Sequence, residues 1–505
     1  IFYFFLIIQI IFLLKDFRLD NSFFYTKNFD EKITFIILII FLLISILPLS
    51  DADSIAVYQY LPSTIFNEGL NNIDLKKNLE FTLLSNAEIL LLISPILKSD
   101  NFGAQLNLIT LFFFILISFK NHKNFFFIVI SSPLIIYFIS TQKLQLFYGI
   151  LFLLSFILFN KSLVKTKSEF FIFILLLTFY SSGKISYILF SIPIFLYFFY
   201  FNQRYWQTIL ISSLVSFILV YLPILFLKGY YFGNSFAPFF DNLLGKGLES
   251  YNAFVYSIRS SEGWISNPTD IFLYLRPFIS FDISTLSSSL GLIFLLMLFD
   301  FKIHKQTRYI PVILIILVLT TGQILPRYYF EAFLILAYFY KPKKLLLKLF
   351  IFSQISIILL ISLAYIYLAY FKYEVINDKV KYMNRFSYSH FNSNQLKKDS
   401  LKGNVLDFTL DRQSIFFDKS IYSIRYLSIL NNFNNNDDEN FRKFVLNNDI
   451  KYLIIGEDTY VPVCLNTNEI KKTQRTKAVR NIFLNPDIKD YKLLKIQKNE
   501  CNSDN

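Results

Sequence analysis

The chain has 505 residues, 54% of them hydrophobic and 19% aromatic, with a mean hydropathy of +0.48, more apolar than a single water-solvated core requires. Its formal net charge is +13, yet the Lys and Arg residues fall in short clusters between apolar runs, which points to membrane topology and away from a nucleic-acid partner. The sequence opens at Ile1 with an apolar stretch, 1–14, already under way; the expectation is a missing N-terminal part, and no secretory leader can be read.

Further apolar segments follow at 33–49, 104–119, 124–140, 144–159, 170–180, 185–201, 206–227, 287–299, 309–321, 328–340 and 345–370. Several approach the roughly 20 residues that cross a bilayer core, and in lipid such runs must be helices. Loops with Lys15, Arg18, Lys27 and Lys32, with Lys120 and Lys123, with Lys161, Lys165 and Lys167, with Arg204, with Lys302, Lys305 and Arg308, and with Lys341, Lys343 and Lys344 are assigned to the inner face. Segment 81–97 breaks this alternation. Its Asn86, Glu88 and Pro95 suit a helix or hairpin lying at the outer interface.

The sequence thus predicts a membrane all-α fold, a polytopic transmembrane bundle of about 12 spans over 1–370, with outer loops 50–101 and 228–286. The remainder, 371–505, loses the apolar runs and becomes rich in Asn, Asp and Lys. Alternation over 405–410, helical spacing over 438–446 and a short apolar run over 451–455 predict a small extracytoplasmic α/β domain there. Both cysteines, Cys464 and Cys501, belong to it; an oxidising compartment would let them pair, and two separate thiols are the other reading.

The stretch PLSDADSIAVYQYLPSTIFNEG places Asp51 and Asp53 where a helix leaves the apolar layer. A carboxylate there can act as a base toward a hydroxyl or hold a divalent cation. The competing reading has Asp51 capping the next helix and Asp53 solvated. An acidic pair past an early span, a Tyr-rich segment and an Asn-Glu-Gly turn resemble the first outer loop of the GT-C fold glycosyltransferases, the polytopic enzymes that include protein mannosyltransferases and lipid A aminoarabinose transferase. The resemblance implies a polyprenyl-phosphate sugar donor and an acidic catalytic base.

Other segments carry the same resemblance. YSSGKISY over 180–187 is similar to a glycine and lysine segment of these enzymes and places Lys184 against a phosphate, where a fixed cation stabilises a leaving group that gains charge; snorkelling to headgroups is the plainer fate of such a lysine. KGYYFGNSFAPFF over 228–240 resembles an outer loop with Gly233, Asn234 and Pro238 as the matched positions, although an ordinary turn has the same composition. TTGQILPRYYFEAFLILAYF places Gln323, Arg327 and Tyr328 at the mouth of a late span, with Arg327 as a second phosphate ligand. An ion pair with Glu331 is its competing explanation.

The resemblance implies an inverting transfer at the outer face of the inner, or plasma, membrane, to a lipid, glycan or protein acceptor. Asp53 or Asp51 is the base, with Asp53 preferred. Tyr58 and Tyr60 are sugar-stacking walls. The turn Ser140, Thr141, Gln142, Lys143 lacks the acidic residue that some members carry, so a divalent metal is an open question, and the oligosaccharyltransferase motif WWDYG is missing. His122, His304 and His390 are isolated, and no zinc or nucleotide-binding motif is present. A transporter or flippase for lipid-linked saccharides, which needs charges at mid-span or repeated broken helices, and a scaffold without chemistry are the alternatives.

Overall fold

The computed structural model describes residues 29–51, 53–69, 84–160, 166–237, 271–279, 289–299, 305–320, 325–340, 345–386, 403–408, 421–423, 438–456, 465–477 and 487–499. Segment 1–14, the outer residues 70–83, Pro238, Gln323, Cys464 and Cys501 lie outside them.

Helices α1 (Phe29–Ser45), α2 (Tyr60–Glu68), α3 (Asn86–Leu91), α4 (Ile93–Leu97), α5 (Phe102–Ile130), α6 (Pro133–Ile139), α7 (Gln145–Asn160) and α8 (Lys167–Ser182) form the first half. Then come α9 (Ile188–Phe201), α10 (Trp206–Val220), α11 (Leu222–Phe232), α12 (Ile271–Ile279), α13 (Leu292–Phe299), α14 (Lys305–Thr320), α15 (Phe330–Phe339) and α16 (Leu345–Ile366). Local chemistry sets many of the ends. Ser85 and Thr166 open α3 and α8 with capping boxes completed by Glu88 and Glu169, each satisfying backbone donors that the first turn leaves without partners.

The expected bundle of about 12 spans is corrected by these lengths. Among the described residues one helix, Leu347–Lys372, is long and apolar enough to cross a membrane; Gln203–Val220 and Leu222–Phe232, bent by 43°, make a second if counted together. Among the described residues the other apolar helical stretches, Phe102–Ile115 within a longer α5 included, have 10–17 residues. Many of the predicted runs are instead the interior of a helix assembly. In α15 every residue from Phe330 to Tyr338 is buried, and Phe41, Phe126, Phe138 and Phe152 join it in one continuous core.

A second correction concerns 104–140, where two spans and a basic loop at Lys120 and Lys123 were expected. One uninterrupted helix, α5, runs from Phe102 to Ile130. The chain breaks at Ser131 and Ser132 instead, where Ser132 is extended and Pro133 starts α6. Proline disfavours a helical residue before it and is well tolerated in a first turn, whereas Lys, Asn and His do not stop a helix. Gln354 of α16 braces this break, donating to Ser131 O at 3.2 Å and accepting from Ile293 N at 2.8 Å.

The end of the long apolar helix returns to the start of the chain. Ala369, Val375, Tyr382, Met383 and Phe386 pack with Leu47, Leu49 and Ile55, and the Tyr370 hydroxyl donates to Leu43 O at 2.9 Å. Helix α17 (Lys379–Phe386) thus packs on the helical body, although it lies beyond the boundary drawn at 371.

Beyond it the strands are β1 (Asn404–Asp407), β2 (Ile421–Ser423), β3 (Ile450–Gly456), β4 (Leu465–Lys477) and β5 (Asp487–Asn499), with α18 (Asp438–Asn447) preceding β3. They form one sheet in the order β2-β1-β3-β5-β4. Strand β1 is parallel to β2 and β3, while β5 is antiparallel to β3 and β4. Leu406, Leu453 and Leu494 pack with Phe444 and Val445 of α18, which gives this module its own small core.

Candidate functional site

The Asp51–Asp53 turn follows Pro48 and Leu49 at the end of α1. Asp51 is 4% exposed, and its Oδ2 accepts hydrogen bonds from Ser54 N at 2.9 Å and Ser54 Oγ at 2.7 Å, while its carbonyl accepts from Ile55 N at 3.1 Å. This is helix-capping geometry. Asp51 therefore holds the backbone that presents Asp53.

Asp53 takes a different role. Its Oδ2 accepts from Lys143 Nζ at 2.5 Å and lies 4.0 Å from Arg327 Nη1; Lys143 Nζ is also 3.9 Å from Asp51 Oδ2. Lys143 contacts the Tyr137 hydroxyl as well, and that hydroxyl accepts from Arg327 Nη1 at 3.0 Å. Two carboxylates and two cations from three distant parts of the chain thus form one largely buried network. Tyr58 lies within electrostatic reach of Asp53, Lys143 and Tyr328. Tyr60 packs instead with Leu61 and Leu84, because residues two apart on a helix do not face each other, so the pair does not form one wall.

Lys184 reaches the same place by another route. In YSSGKISY the first and last tyrosines stack, Tyr180 on Tyr187 with ring centroids 4.5 Å apart, folding the segment into a corner at Gly183 and Lys184. Ser85 Oγ donates to Gly183 O at 2.6 Å, and Asn86 Nδ2 donates to Ser182 Oγ at 2.7 Å and Val220 O at 3.1 Å, so α3 braces the corner. A Cβ on Gly183 would overlap the Tyr148 ring, which requires glycine there. Lys184 Nζ then sits 4.7 Å from the Tyr328 ring centroid, and the Arg327 guanidinium 5.1 Å from the same centroid. The expected pair between Arg327 and Glu331 is not among the ion pairs of the described residues: Arg327 turns to Asp53 and Tyr137, while Glu331 is buried in α15.

The electrostatics follow this crowding. Desolvation lowers the Lys184 ammonium from its ordinary value. Burial alone would also lower Lys143, but the Asp53 carboxylate and Tyr137 outweigh it and hold Lys143 above the usual lysine range. For Tyr328, burial works to raise the phenol, yet Arg327, Lys184 and Lys143 together bring it down to about 8.

Asn234 lies in another loop. Its Oδ1 accepts from Phe236 N at 2.9 Å, Gly233 before it is left-handed with φ 70°, and Lys228 Nζ donates to Ala237 O at 2.7 Å. The side chain closes its own turn, as local side-chain bonds of Asn commonly do. The residues that sequence reasoning missed are Lys143 and Tyr137. The turn 140–143 drew notice only for lacking an acid, although a lysine in a short polar turn between two apolar runs was itself the signal.

No protein-family model matches the chain, and no curated protein or solved structure matches it. The functional reading therefore rests on the site.

Proposed function

We propose that the chain is a glycosyltransferase acting at a membrane, which moves a sugar from a polyprenyl-phosphate donor to an acceptor hydroxyl with inversion. The observation that carries this reading is the convergence of Asp53, Lys184, Arg327 and Tyr328 on one cluster. Asp53 takes the proton of the acceptor hydroxyl as its oxygen bonds to the anomeric carbon. The bond from that carbon to the phosphate oxygen breaks, and its electron pair leaves with the polyprenyl phosphate. Lys184 and Arg327 offset the charge that develops there.

A lipid-borne donor suits the surroundings. Ile55, two residues past Asp53, shares a buried cluster with Ala369, near the end of Leu347–Lys372, the helix that among the described residues is long and apolar enough to cross a membrane; a headgroup phosphate would lie level with such a terminus. That helix leaves Leu349, Phe352, Leu360, Leu363, Tyr367 and Phe371 exposed, a face suited to acyl chains.

The test is a transfer assay in lipid vesicles with polyprenyl-phosphate sugars and candidate acceptors. Loss of a general base lowers the rate by about 10²–10⁴-fold, so Asp53→Asn is expected to fall in that range. Transfer by Asp53→Asn at the unaltered rate would refute the chemistry.

A further inference from the structure

A divalent cation bound by Asp51 and Asp53 is the obvious way for such a site to hold charge, and the residues present do not fit one. Carboxylate oxygens approach a divalent ion at roughly 2.0–2.6 Å. The space beside Asp53 Oδ2 at that range is taken by Lys143 Nζ at 2.5 Å, which also stands 3.9 Å from Asp51 Oδ2. Arg327 adds a second positive group 4.0 Å from Asp53. Among the described residues, no group of three or more His, Cys, Asp or Glu side chains could hold a metal ion.

We propose that the Lys143 ammonium is the resident cation of the site, seated where a metal bridging Asp51 and Asp53 would have to sit. On the reading of the site as a glycosyltransferase, on which this part depends, transfer then needs no divalent ion.

The lysine is built in rather than incidental. Its side chain is 7% exposed, and the turn that delivers it is clamped from several sides. Gln142 N donates to Ser54 Oγ at 2.9 Å, and the same Ser54 hydroxyl donates to Asp51, so the lysine turn and the carboxylate turn share a hydroxyl. Gln142 Oε1 accepts from Gly103 N at 2.8 Å, and Gln142 Nε2 donates to Ser94 Oγ at 3.1 Å. Asn107 Nδ2 donates to Lys143 O at 2.6 Å. A lysine on so rigid a backbone supplies the two services a metal would: it fixes the orientation of the Asp53 carboxylate, and it places a positive charge beside both carboxylates. Lys143 is in this sense a positioning residue for Asp53.

The experiment measures Mn²⁺ binding to the purified full chain by electron paramagnetic resonance, for wild type, Lys143→Ala and Lys143→Asp. Each is prepared with and without Mn²⁺, and thermal unfolding and transfer are followed in parallel. The expected result is that wild type retains no specific Mn²⁺, that chelator leaves its transfer unchanged, and that at least one variant binds a single Mn²⁺ at least about tenfold more tightly than wild type, with a raised Tm. A variant recoverable only in the presence of Mn²⁺ supports the proposal equally. Specific Mn²⁺ binding by wild type that Asp53→Asn abolishes overturns it, as do folded variants that gain no Mn²⁺ affinity. Should neither variant fold under either condition, loss of wild-type transfer on chelation overturns it and retention supports it. If no protein transfers sugar, the glycosyltransferase reading fails while the Mn²⁺ comparison still decides the place of Lys143.

Discussion

Gly103→Ala tests how the lysine turn is held, at a residue that touches neither Asp53 nor a substrate. Gly103 lies in the first turn of α5, where alanine would ordinarily stabilise a helix by about 0.5–1 kcal/mol. Here a Cβ would stand 2.9 Å from the carbonyl carbon and 3.0 Å from Cα of Gln142, and closer still to its oxygen, whereas ordinary contact begins at 3.4 Å. The obstacle is backbone pinned by the Ser54, Ser94 and Asn107 hydrogen bonds, so it cannot swing aside as a side-chain tip does. Overpacking of this kind costs about 1–3 kcal/mol, which exceeds the helix gain, and the net expectation is a loss of about 1–2 kcal/mol. The turn must also move by about 0.5–1 Å, the carbonyl oxygen most, and Lys143 moves with it. Because a misplacement of about 1 Å can cost about 100-fold in rate, transfer should fall by about 10–100-fold. Thermal unfolding and the vesicle transfer assay on one preparation check both values. A variant more stable than wild type with transfer unchanged would refute the packing argument and the link from the turn to the site together.

Asp51→Ala removes a helix cap and should cost about 1 kcal/mol, while Asp51→Asn, which can still cap, should stay near wild-type stability; unfolding curves of the two distinguish a capping role from a charge role. Arg327→Lys keeps the charge but loses the planar donors that reach Tyr137 at 3.0 Å and Tyr328 at 3.3 Å; at about 1.5–3 kcal/mol for hydrogen bonds of charged groups, transfer should drop by about 10–100-fold. Tyr328 should titrate at about 8, seen as a step in phenolate absorbance that Tyr328→Phe removes. Since its folded value lies below the ordinary 10.0, the unfolded chain binds more protons between those values. Stability from this group is therefore fully present above pH 10 and is lost as pH falls through 8; a flat absorbance profile across this window would count against the cation cage around the ring.

The candidate residues were legible because polar groups are costly in apolar surroundings, so those that punctuate apolar runs stand out. Asp51, Asp53, Lys184, Arg327 and Tyr328 all occur at such ends, and the structure brings them together. What could not be read was their division of labour. Spacing alone does not tell that Asp51 bonds back to Ser54 while Asp53 reaches Lys143 across 90 residues. Helix lengths were misjudged for a related reason. Hydropathy treats Lys120 and Lys123 as a boundary, yet FKNHKNF contains neither Gly nor Pro, and α5 runs through it. The real punctuation was Ser131-Ser132-Pro133, visible in the sequence as a turn signal. Strands β4 and β5 escaped notice because stretches such as NTNEIKKTQRTK lack the apolar alternation of a strand with one buried face.

Packing requirements alone do not account for the charged cluster. Burying an ion pair is often no more favourable than placing apolar residues of the same volume there, and the surrounding helices have apolar residues in abundance. Yet this position holds Asp51, Asp53, Lys143 and Arg327, mutually compensated so that no carboxylate stands without a cation within 4.0 Å. Removing one partner of the close Asp53–Lys143 pair, 2.5 Å apart, costs about 3–5 kcal/mol. Structural stabilisation would have been served by capping Asp51 and omitting the rest. The remaining charges, delivered by the 140–143 turn, the Gly183 corner and the turn before α15, are arranged around one carboxylate and one phenol, and together they lower the pKa of the phenol. On the proposed reading, that is the arrangement a proton transfer beside a departing anion requires.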